Sequence, residues 1–175
     1  MTDTHQIRIA SSFENIDPTN WNGLTAGRPV NPFVTHEFLF ALENSGSAVA
    51  ETGWFGQHLL LETRDGELLG ALPCYLKNHS QGEYVFDHGW ADAFMRAGGD
   101  YYPKLQCSIP FTPAQGPRFL VPECENRDIR IQALAGGLKQ LCQKLGVSSA
   151  HITFMEKNEW QQAGNANYLK RTDQQ

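Results

Sequence analysis

No two cysteines of this chain stand close together. Cys74, Cys107, Cys124 and Cys142 are scattered through 175 residues with no CxxC pair. Structural zinc draws on close-set ligand pairs, so no metal site is expected. The first residues, MTDTHQIRIA, have neither a basic start nor an apolar stretch, which argues against a signal peptide. No run approaches the roughly 18 apolar residues of a membrane helix. A cytoplasmic protein with reduced thiols is the expectation. Cationic excess is missing too. Lys and Arg number 14 against 19 Asp and Glu, a net charge of −5. That balance disfavours a broad nucleic-acid or anionic-membrane footprint, and direct tRNA recognition would need a basic groove. There are no internal repeats and no low-complexity segments. What remains is an ordinary globular composition, 41% hydrophobic and 19% charged, at a length suited to one domain over residues 1–175.

In chain order, Gln6 to Phe13 alternates polar and apolar residues and predicts a first strand. Asp17 and Pro18 mark a short helix carrying Trp21, and Thr35 caps a second one ended by Gly46. Residues 56–77 read as a hairpin turning at Asp65-Gly66, with Pro73 marking an edge or bulge. YVFD, LQCSIPF, RFLVP and HITFM read as further strands. Residues 91–97 and EKNEWQQAG read as short helices, and NYLKRTDQQ as the start of a last strand. The clearest element is the helix over 126–146, where Ile131, Leu134, Leu138, Leu141, Cys142 and Leu145 recur at helical spacing. Its Gly136-Gly137 pair costs about 1 kcal/mol per glycine, which predicts a close approach on that face. A mixed sheet with helices on both faces is the economical way to bury this order.

One stretch, Tyr84 to Arg118, gathers Asp87, His88, Trp90, Asp92, Arg96, Tyr101, Tyr102 and Lys104 among turn-forming glycines and prolines. Such crowding predicts a small-molecule or acceptor site. Asp87 and His88 are the candidate acid–base pair, since histidine titrates near neutrality and a carboxylate can orient it. Adjacent strand residues point to opposite faces, however, and both could simply end a strand. Asp92 is an equal candidate for that work or merely favours a helix N-terminus. Trp90, Tyr101 and Tyr102 could wall a substrate site or fill the core. Lys104 and Arg118 could hold an anionic substrate or be solvated surface charges. His36, His58 and His151 read as structural, and Cys107 as a small buried residue rather than a nucleophile.

Several stretches together resemble the FemAB-like family of the GNAT acyltransferase superfamily: NPFVTHEFLFALENSGS, LLGALPCYLK, FDHGWADAFMRAGGDYYPKL, IPFTPAQGPRFLV and YLKRTDQQ. The resemblance implies an α/β (α+β) fold of GNAT type, with a mixed, mostly antiparallel sheet. It implies acyl or aminoacyl transfer to a peptidoglycan-precursor-like acceptor, with acyl-CoA or aminoacyl-tRNA as donor for the full-length enzyme. Better-known relatives carry two such domains, so the chain is expected to be an N-terminal half lacking its C-terminal partner. A homodimer through surface left bare would then be no surprise. One departure stands out. The phosphate-binding glycine loop of acyl-CoA-using members is replaced by RFLVPECENRD, whose acids would repel an anion. The expectation is therefore no cofactor in this domain, and the alternative is a non-catalytic half-domain packed against a catalytic one.

Overall fold

The computed structural model describes residues 5–85 and 87–172. Strand β1 (His5–Ala10) pairs antiparallel with β3 (His58–Thr63), which pairs antiparallel with β4 (Leu68–Leu72). The β3–β4 hairpin turns at Gly66, whose φ of 87° is why glycine stands there. A second sheet has the order β2 (Phe55–Gly56), β5 (Tyr75–Lys77), β6 (Lys104–Cys107) and β7 (Ala150–Ile152). Only the β6–β7 pair is parallel. The chain passes from one sheet to the other at Pro73-Cys74, between β4 and β5. Proline cannot donate to a ladder, and the strand breaks there.

Helices cover both faces. Leu59 and Leu61 of β3 turn toward α4 (Arg127–Leu145) and join Ile131, Leu134 and Leu138 in the larger core. Leu60, on the opposite side of the pleat, joins Phe13, Trp21 and Leu39 beneath α1 (Pro18–Gly23) and α2 (His36–Asn44). The caps are those the sequence specifies. Asp17 accepts from Asn20 N–H at 2.8 Å, and Thr35 Oγ1 from Phe38 N–H at 3.4 Å. Gly146 closes α4 at a φ of 64°. Gly137 meets the expected close approach, because a Cβ there would lie 2.1 Å from Ile7 Cδ1. Its neighbour Gly136 faces open space.

Three expected strands are not strands. Residues 84 and 85 of YVFD are irregular, since Tyr84 has a left-handed φ of 55°, and Phe86 lies outside the described residues. Asp87 is instead the residue before helix α3 (His88–Arg96). RFLVP makes one isolated bridge, Ala71 to Leu120. Residues 167–172 turn back at Asn167 (φ 61°) behind α5 (Lys157–Asn165), and 173–175 lie outside the described residues. Among the described residues no helix is long and apolar enough to cross a membrane.

Candidate functional site

Polar and apolar residues alternate along β5 and β6, giving the second sheet two unlike faces. Leu76, Leu105 and Cys107 join the α4 core, while Lys77, paired in register with Lys104, belongs to the polar set. The 78–103 segment buries these charges. Lys104 Nζ donates to Glu83 Oε2 at 2.8 Å and to Asp87 Oδ2 at 2.6 Å, and Tyr101 Oη donates to the same Asp87 oxygen at 2.8 Å. Burial alone would push Asp87 up, but the hydrogen bond and charge of Lys104, helped by Tyr101, hold its carboxyl below the usual range. In Glu83, whose Oε1 is buried without a partner among the described residues, burial wins and the carboxyl titrates high. Lys77 donates to Gln81 O at 3.1 Å, and its Nζ stands 3.6 Å from the centroid of the Trp54 ring. Burial pushes its ammonium down to about 8.

Of the residues singled out in the sequence, the structure therefore brings together Asp87, Tyr101 and Lys104. Tyr102 flanks them, its ring centroid 5.6 Å from Lys104 Nζ. His88, Trp90 and Asp92 project from the exposed side of α3, so Asp87 and His88 part company at the helix start. Neither Lys104 nor Arg118 is a solvated surface charge. Arg118, fully buried, spends its guanidinium on carbonyls. Nε donates to Thr153 O, Nη1 to Gly116 O and Pro117 O, and Nη2 to Ala114 O. Arg118 thereby ties loop 114–117 to the end of β7.

That loop forms one wall of a cleft of about 640 Å³, and residues 25–34 form another. Glu159 of α5 lies at the cleft, and its carboxylate accepts two successive backbone N–H groups, from Arg118 at 2.8 Å and Phe119 at 3.2 Å. These bonds help explain why RFLVP is not a strand: its first two amides serve a side chain, and Leu120 alone bridges to Ala71. Burial pushes Glu159 up to about 7 against the opposing pull of the Arg118 amide and the nearby arginine charges. At the cleft mouth Arg28 Nε donates to Glu123 Oε1 at 3.0 Å, and Arg127 Nε lies 3.3 Å from the same oxygen. Of the acids of RFLVPECENRD, Glu123 is thus paired with two arginines. Asn126, at the head of α4, makes no side-chain capping bond.

Chemically, a carboxyl that titrates near neutrality beside a cleft can exchange a proton with a bound group. The Lys104 cluster contributes no residue to the cleft walls, and its ion pairs tie the 78–103 segment to β6. Glu159 carries no sequence signal. It is one glutamate in a short polar helix, 40 residues and more from its amide partners. Lys77, Glu83, Arg28 and Arg127 were equally unmarked.

Comparison with solved structures returns two acetyltransferases. Glucosamine-6-phosphate N-acetyltransferase from Arabidopsis thaliana superposes with a TM-score of 0.55 at 10% identity, over 98% of this chain and 96% of that one. A presumed acetyltransferase from Deinococcus radiodurans R1 gives a TM-score of 0.49 at 14% identity, over 99% and 87%. At such identities the likeness is one of fold, and it rests on the first of the two. No curated protein matches the chain. The FemAB-like family model, described as peptidoglycan biosynthesis/recognition, matches residues 12–175, and the chain belongs to that family.

Proposed function

We propose that the chain is an acyl- or aminoacyl-transferase domain whose acceptor and donor meet in the cleft beside Glu159. The observation that carries the reading is a buried carboxyl, poised at about 7, lining a cleft of about 640 Å³. In its ionised form Glu159 takes the surplus proton of an acceptor amine. The amine nitrogen bonds to the acyl carbon while that carbon's bond to the donor's leaving group breaks. A coenzyme A thioester or an aminoacyl-tRNA is the donor for the full-length protein, and a peptidoglycan-precursor-like amine in the cytoplasm the acceptor. Asp87, Tyr101, Tyr102 and Lys104 stiffen the segment behind the site, and Arg118 positions its loop.

The test is turnover and calorimetric titration with acetyl-CoA against pH, for the wild type and Glu159→Gln. The expected result is a rise in activity through about pH 7 that the variant loses together with most of its turnover. Unchanged turnover in the variant would remove Glu159 from the mechanism. A second reading, a non-catalytic half packed against a catalytic domain, draws on Trp90, Phe94 and Met95, which are exposed together on α3. A longer protein that is active only through its other half would favour it.

A further inference from the structure

A second, smaller cavity of about 180 Å³ lies between the end of α2, the 48–50 segment and the start of the second sheet. It shares no lining residue with the Glu159 cleft. A cavity of about 150 Å³ holds a benzene-sized molecule, so this one takes a ligand of similar bulk. Its walls include the rings of Trp54, Phe55 and Tyr75. The only formally charged side chain among its lining residues is Glu43. That carboxylate is fixed in place, since Phe13 N–H donates to Oε2 at 2.8 Å and Ser12 Oγ donates to Oε1. Each oxygen keeps a further lone-pair direction for a ligand.

The remaining polar lining is neutral. His58 accepts Cys74 N–H on Nδ1 at 3.3 Å, which leaves its proton on Nε2, and burial holds its ring down to about 3. Trp54 keeps a buried indole N–H with no partner among the described residues. Gly56 keeps the space between these groups clear. A Cβ there would lie 2.4 Å from Ser11 O and 3.0 Å from His58 Nε2. Lys77 already holds one face of Trp54, so a bound cation would rest on Glu43, Phe55 and Tyr75.

We propose that this cavity binds a small organic ammonium ion carrying a hydroxyl group. Glu43 is its counter-ion, the aromatic edges and faces surround its methyl or methylene groups, and an indole or imidazole N–H meets its oxygen. An anion would face the Glu43 carboxylate, and a neutral molecule would leave it without a counter-charge.

The test is calorimetric titration of the whole chain with choline and ethanolamine, beside the neutral isostere 3,3-dimethylbutan-1-ol. The expected result is saturable binding of at least one amine, with the neutral isostere about 10-fold weaker or worse. Glu43→Gln, which keeps an oxygen for Phe13 N–H, should weaken the amine about 10-fold with little change in melting temperature. Because Glu43→Gln could loosen the Ser12–Phe13 corner, Ala50→Phe provides an independent check. Residue 50 is exposed at the cavity, and a ring there should block binding while the fold stays intact. Absence of amine binding at tens of millimolar, equal binding of the isostere, or full affinity in Ala50→Phe would each overturn the proposal.

Discussion

The Lys104 cluster and the Glu159 cleft use the same kinds of group to opposite ends. Around Lys104 one cation meets two carboxylates and a phenol at 2.6–2.8 Å, with every member buried. Around Glu159 one buried carboxyl meets two amides, and its formal counter-charge, Arg118, is hydrogen-bonded to carbonyls. The first arrangement pairs its one cation with both carboxylates and closes over them, leaving Glu83 Oε1 and Asp87 Oδ1 without partners among the described residues. The second leaves a proton in balance near neutrality next to empty space. Burial of charge by itself does not mark a site. The distinguishing feature is an opening beside the buried group.

The largest expected effect separates the two directly. Lys104→Met strands Asp87 and Glu83 in the interior, and should cost about 3–5 kcal/mol in denaturant unfolding. Adding Asp87→Asn and Glu83→Gln to that variant should recover much of the loss. If the single variant is as stable as wild type, the cluster is not a structural clamp. Next comes the Glu159 titration. Its folded value of about 7 lies above the ordinary 4.5, so the folded state holds a proton that the unfolded chain has released. Stability should be full below about pH 4.5 and fall by on the order of 3 kcal/mol as pH rises to about 7, then level off. Glu159→Gln should lose that slope, as followed by urea midpoints from pH 4.5 to 8. A slope that survives the substitution would assign it to another group. The smallest effect belongs outside both regions. His88→Ala on the exposed side of α3 should shift stability by no more than about 0.5 kcal/mol. A larger loss in thermal melting would mean that α3 is bound into the Lys104 cluster through its surface.

The readable parts of the fold are those where local pattern and tertiary position agree. Asp65-Gly66 between two apolar runs gave the β3–β4 hairpin, and a heptad-like recurrence from Ile131 to Leu145 gave α4, because each element needs only its own residues to declare itself. YVFD misled because Tyr84 takes a left-handed turn that no β-propensity reports. YLK and KLQC each alternate polar with apolar residues, which in sequence is the mark of a half-solvated sheet. The structure covers that polar face with the loop and helix of 78–103, so Lys77 and Lys104 are interior. The crowding of Tyr84–Arg118 thus located a real concentration of charge and aromatic groups, but as a covered layer. Only its tail, Gln115 to Pro117, lines the larger cleft. Glu159 was out of reach because its role depends on two backbone amides in a distant segment, and amides carry no residue-specific signature.

The contact between Ile7 and Gly137 has a practical consequence. The family match begins at residue 12, which invites trimming the chain there. Yet β1 covers the outer side of β3 from His5 to Ala10, and Ile7 fills the notch that Gly137 leaves in α4. A protein cut at residue 12 would present the bare hydrogen-bonding edge of Leu59, Leu60 and Leu61, beside an unfilled groove. Such an edge invites strand exchange between molecules. Residues 5–10, ahead of the family boundary, keep the apolar edge of β3 paired.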